Sequence, residues 1–133
     1  MMSKRRKGNS DVERQRTAPS GPWPVRYHPK ARVEADARPV QEQKAIDRAA
    51  DKLASLGPTL QFPHSSKVMG DPGGSLRELR PRAGRSAWRC IYERMGDVFV
   101  FVIGAVGPEA QKNKAGFNSA VGAAKARLAE IEQ

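Results

Sequence analysis

Cysteine is almost missing from this sequence. Cys90 is the only one, so no disulfide within the chain can form. Histidine is nearly as scarce: with only His28 and His64, a zinc site of cysteine and histidine ligands lacks its donors. No apolar run approaches the roughly 20 residues of a membrane-spanning helix. The basic N-terminus is not followed by the apolar stretch of a secretory signal. These absences point to a reducing, cytoplasmic setting and to a site without metal or cofactor. Acidic residues are the other shortage, 14 against 24 Lys and Arg, for a formal charge of +10 and a sequence pI of about 10.4. Such a surplus favours a polyanionic partner (nucleic acid, a membrane surface or an acidic protein), or else it only keeps a small protein soluble.

The common catalytic signatures are also lacking. There is no serine–histidine–acid set at sensible spacing and no cluster of metal-binding carboxylates. The glycines from Gly70 to Gly74 lack the lysine and following helix of a phosphate loop. His64 is a candidate general base, although a histidine in a PHSSK loop reads first as a turn or capping residue.

What is present organises into one domain of 133 residues at most. Residues 1–21 are polar, carry the Lys4, Arg5, Arg6 and Lys7 run, and show no apolar period, so a disordered basic tail is expected there. From residue 22 the chain should fold. Val25 and Tyr27 alternate between prolines and predict a strand, at an edge or just beginning because of Pro24. A short helix is expected over Lys30–Ala37. A clearer one follows between Pro39 and Gly57, where Ile46, Ala49, Ala50, Leu53 and Leu56 make one apolar stripe. Residues 57–74 read as a connecting loop. Three strand-like runs come next, Leu76–Arg80, Ser86–Arg94 and Asp97–Val106, joined tightly at Ala83–Gly84 and Gly96–Asp97. The last run is apolar almost throughout, as a strand covered on both faces would be. A closing helix puts Phe117, Ala120, Val121, Ala124, Leu128 and Ile131 on one face. The expected fold is α+β: a small antiparallel sheet of about four strands with helices packed on one face.

Arg77, Arg80, Arg82, Arg85 and Arg89 fall within thirteen residues of the first two of those runs and their connection, opposed only by Glu78. Alternation puts Glu78 and Arg80 on one sheet face and Arg77 and Leu79 on the other. Burying Leu79 would leave the first face open and positive. With Lys67, Lys112 and Lys114 from the flanking loops it could form a basic cleft, since arginine grips phosphate with paired donors. A solvated sheet face with a weak Glu78–Arg80 pair is the alternative. Trp88 and Tyr92 either stack an unpaired base or belong to the core, and for Trp88 the core is preferred.

Several stretches resemble the RelE/HigB toxins, particularly the phage-derived HigB-like branch. They are LxxLGPTLQFPHSSKV at Leu53–Val68, LRELRPRAGRSAWRCIY at Leu76–Tyr92, the hydrophobic strand leading to GPEAQKNK, and the final helix ending AKARL. The similarity runs from about Trp23 to the C-terminus. It implies the toxin of a type II toxin–antitoxin system, a RelE-like fold, and metal-independent endoribonuclease action on mRNA, at or away from the ribosome. A helix-turn-helix antitoxin encoded beside it would silence it. By the resemblance, Arg80, Arg89, Lys67, Tyr92 and Lys112 are catalytic, and Arg77, Arg82, Arg85 and Lys114 bind RNA. Two departures stand out. The C-terminal acid–base histidine of several members has no counterpart near Ile103–Val106, and Pro108 and Glu109 occupy a usually basic segment. Either a lysine and Tyr92 carry the proton transfers, or this member is weakly active or inert. The alternatives are a ParE-like toxin that blocks gyrase through protein contacts, and a non-catalytic phage-derived protein that only binds.

Overall fold

A computed structural model of the chain describes residues 19, 21–69, 71, 74–107 and 114–132. Residues 1–18 and 20, where the basic tail was expected, lie outside the described residues. In chain order the elements are β1 (Val25–Tyr27), α1 (Pro29–Asp36), α2 (Val40–Leu56), β2 (Ser65–Lys67), β3 (Arg77–Leu79), β4 (Arg89–Met95), β5 (Val98–Val106) and α3 (Lys114–Glu132).

Local chemistry accounts for the helix ends. Pro29 opens α1, where its missing N–H is not needed, and His28 Nδ1 accepts from the Lys30 amide as a cap. Pro39 precedes α2. Gly57, at φ 58°, ends it in a conformation open to glycine, and a Cβ there would strike the Trp23 indole. The α2 stripe is buried at Ala45, Ile46, Ala50, Leu53 and Ala54, whereas Leu56, expected in it, is exposed in the last turn.

The fold is α+β, with a five-stranded sheet in the order β1-β5-β4-β3-β2. The β2-β3-β4-β5 part is antiparallel, as the meander predicts, and β4 turns into β5 at Gly96 with Met95 opposite Val98. Two details correct the expected sheet. The 57–74 loop contains β2, which is polar and three residues long and so carries no apolar alternation. In addition, β1 docks parallel to β5, making the sheet mixed; only the intervening helices and hairpins bring the chain back in that direction.

Helices cover both faces rather than one. Leu79, Cys90, Tyr92, Phe99 and Phe101 point one way, onto Ala35 of α1 and Ile46, Ala50 and Leu53 of α2. Ile91, Val100, Val102 and Val106 point the other way, onto Val121, Ala124 and Leu128 of α3. The near-continuous apolar run of β5 is what two covered faces require. Gly104 lets α1 lie directly on β5, since a Cβ there would fall 1.8 Å from the Ala31 carbonyl oxygen. Arg127 of α3 clasps Glu34 of α1 through both carboxylate oxygens at 2.9 Å and also donates to the Val102 carbonyl at 2.7 Å.

Candidate nucleic-acid interface

Ala45, Arg48, Ala49 and Lys52 are spaced by three and four residues along α2, so they share one helix face. The alanines leave room and the long side chains rim it. Facing them is the Pro81–Gly84 turn, with Arg82 and Ala83 both at φ 56° in the left-handed region. Between the two lies a cleft of about 400 Å³, lined also by His64, Leu79, Arg80 and Arg85. Five of the ten described residues that line it are Arg or Lys, and no carboxylate is among those ten.

A turn with two left-handed non-glycine residues needs outside support. It comes from both sides. On the α2 side, Arg82 Nη1 donates to Glu42 Oε2 at 2.8 Å, Arg82 Nη2 to the Gln41 carbonyl at 3.2 Å, and Ser86 Oγ to Glu42 Oε1 at 2.8 Å. The Arg82 hydrogen bond, helped by Ser86, holds the Glu42 carboxyl below its ordinary value against the opposing effect of burial. On the sheet side, Arg89 donates to the carbonyls of Ser86, Trp88 and Gly84 at 2.6, 3.0 and 3.4 Å.

Arg80 leaves the end of β3 tied to the neighbouring segment. Its amide donates to the His64 carbonyl at 2.8 Å, its Nε to the Pro63 carbonyl at 3.0 Å and its Nη1 to Glu78 Oε1 at 2.9 Å. That same Glu78 oxygen accepts from Ser66 Oγ at 3.1 Å and lies 3.6 Å from Arg89 Nε. One carboxylate therefore stands between two guanidiniums. Burial, and next the Arg80 charge, lowers the Arg89 pKa, while Glu78 opposes the shift. Arg48, Lys52 and Arg85 form no salt bridge among the described residues. Among the described residues the cleft thus holds three cations without a salt bridge beside two paired ones.

The sequence model of the family described as phage-derived protein Gp49-like matches residues 34–107. This chain belongs to the phage-derived Gp49-like family. No curated protein and no solved structure matches the chain. The Gp49-like segment runs from within α1 to just past β5, so it contains all ten described residues that line the cleft.

Within this Gp49-like segment the expected site residues separate. Arg80, Arg82 and Arg85 line the cleft, and Arg89 lies behind it as a clamp on the turn. Tyr92, expected near the cleft, is instead 2% exposed in the core, stacked on Phe101 and bonded through its hydroxyl to Ser65 Oγ at 2.7 Å. Its register places it on the α2 face among aromatic neighbours, and it does not line this cleft. Arg77 sits beside it, donating to the same Ser65 oxygen at 2.9 Å. Lys67 is exposed at the end of β2, where its charge acts on the buried Asp71, itself held below its ordinary pKa chiefly by Lys125. Neither Arg77 nor Lys67 lines the cleft. Lys112 lies outside the described residues, and so does the side chain of Lys114. Trp88 is half-buried, with the Arg38 guanidinium 4.1 Å from its ring centre.

Two lining residues escaped the sequence reading as site members, Arg48 and Lys52; His64, a candidate general base that reads first as a turn or capping residue, lines the cleft as well. The signal for the first two was available as a basic pair four residues apart, on the same face as two alanines. What places His64 beside Arg80 is the β2–β3 pairing, which the sequence does not show. Among the described residues its ring has no hydrogen-bond partner. No three His, Cys, Asp or Glu residues gather as a metal site among the described residues, and no described helix is long and apolar enough to cross a membrane.

Proposed function

We propose that the chain is the toxin of a toxin–antitoxin pair and that its cleft binds and cuts RNA. The observation that carries this reading is the convergence of Arg48, Lys52, Arg80, Arg82 and Arg85 around His64, with no carboxylate among the described lining residues. Cations converging on one concave site neutralise a phosphate backbone. In the proposed step His64 takes the proton of a ribose 2′-hydroxyl, since histidine is the residue type suited to proton exchange at neutral pH. The 2′-oxygen attacks the adjacent phosphorus in line and the bond to the 5′-oxygen breaks. A 2′,3′-cyclic phosphate remains on one fragment. The departing oxygen takes a proton from Lys52 or water, and the arginines stabilise the charge on the non-bridging oxygens. A helix-turn-helix antitoxin encoded beside the chain would be the silencing partner.

A second reading, RNA binding without cleavage, is supported by one observation: Arg80 and Arg89, the two arginines that the RelE/HigB resemblance makes catalytic, are engaged by Glu78 and by backbone carbonyls. Induced expression with mapping of new RNA 5′ ends, alongside plasmid supercoiling, separates the readings. New ends paired with cyclic phosphates, lost in His64→Gln, support cleavage. Salt-sensitive RNA binding with no new ends leaves binding alone. Intact RNA with altered supercoiling would sink both in favour of gyrase blocking.

A further inference from the structure

We infer that Phe62 is a stacking platform for an unpaired nucleobase at the mouth of the cleft, which makes single strands the preferred substrate. The inference rests on the reading that the cleft holds RNA. Phe62 is 69% exposed although it is a large apolar side chain. Its position is not incidental. The next two residues anchor Arg80: Pro63 accepts from its Nε and His64 from its amide. The Arg80 guanidinium then lies 5.0 Å from the centre of the Phe62 ring. An arginine that lines the cleft is therefore stacked against an aromatic ring that stands outside it.

The other described aromatic rings have their faces committed. Trp23, Tyr27, Tyr92, Phe99 and Phe101 pack in the cluster beneath α2, and Trp88 is covered by Arg38 and lies against Gly107. Phe62 alone among the described residues combines an exposed ring with adjacent cations. Aromatic faces next to a basic groove recognise single strands, because a base stacks on the ring while its phosphates follow the groove. A base inside a duplex is already stacked on both faces and has nothing to offer such a ring. Arginine on one side of the ring also orients it and strengthens the stack.

The test uses the full chain and a fluorescein-labelled, unstructured 2′-O-methyl RNA decamer, which lacks the attacking hydroxyl, with binding read by anisotropy. Phe62→Ala should weaken binding roughly five- to hundredfold, the range of one lost base–aromatic stack. Phe62→Trp should retain it. One abasic position along the decamer should weaken the wild type by a similar factor and leave Phe62→Ala unchanged. A blunt duplex of the same sequence should bind both proteins alike. If Phe62→Ala binds the single strand as the wild type does, the platform is overturned while the RNA reading stands. If abasic positions weaken Phe62→Ala and wild type equally, the ring does not touch a base and the inference also fails. If the wild type binds no single strand, both fall together.

Discussion

Replacing Arg48 and Lys52 with glutamine removes cleft charge without disturbing the cleft's supports. Both side chains are exposed on α2, whereas Arg82 holds the opposite turn and Arg80 holds the His64 segment. With Arg80 and Arg82 paired to Glu78 and Glu42, the lining cations with no salt bridge among the described residues are Arg48, Lys52 and Arg85. On a single strand each neutralised phosphate contributes about 0.7 to the slope of log affinity against log salt, so three predict about 2. The double variant should fall to about 0.7, so that at about 0.1 M salt it binds about 25-fold more weakly than the wild type, the two lines converging near 1 M. Stability should move the other way or not at all. Arg48 and Lys52 are like charges four residues apart, a pairing that costs a helix about 0.2–0.5 kcal/mol, so the melting temperature should hold or rise by at most about 2 °C. Anisotropy titrations from about 50 to about 300 mM potassium chloride supply the slopes, and a thermal melt supplies the control. Parallel wild-type and variant lines would refute the cleft as the phosphate site, whatever the absolute affinities.

Arg89→Ala should cost about 2–4 kcal/mol, visible as a melting temperature lower by several degrees, because the carbonyls of Ser86, Trp88 and Gly84 lose one shared donor. Arg89→Lys should recover only part of it, since an ammonium cannot reproduce the planar fork; a melt unchanged by either substitution would remove the clamp role. Glu42 is held below its ordinary pKa of 4.5 by Arg82 and Ser86. A lowered folded-state pKa gives stability that is present above the unfolded value and lost as pH falls through the folded one. Acid unfolding of Glu42→Gln should therefore show a shallower loss below about pH 4.5 than the wild type, and identical acid limbs would contradict the coupling.

Much of the fold is legible in single stretches of sequence, because helix period, strand alternation and turn residues act over a few neighbours. The apolar spacing of α2, its stop at Gly57, the Gly96 hairpin and the run from Val98 to Val106 each declare themselves in this way. The basic surplus and the crowd of arginines around Glu78 are equally plain. What each arginine touches is not. Arg77, Arg80, Arg82, Arg85 and Arg89 are one residue type in one stretch, yet Arg77 bonds the core hydroxyl of Ser65, Arg89 binds three carbonyls, and only Arg80, Arg82 and Arg85 face the cleft. Tyr92 reads as a site aromatic and is buried, because register sets it opposite Arg77 and Phe101 on the covered face. The parallel docking of β1 and the two-sided placement of the helices are decided by which faces remain apolar after the sheet has formed. Arg48, Lys52, His64 and Arg85 become neighbours only through tertiary closure. Their convergence depends on the pairing of β2 with β3 and on the tether from Arg82 to Glu42 across forty residues, and no local pattern records contacts over that separation.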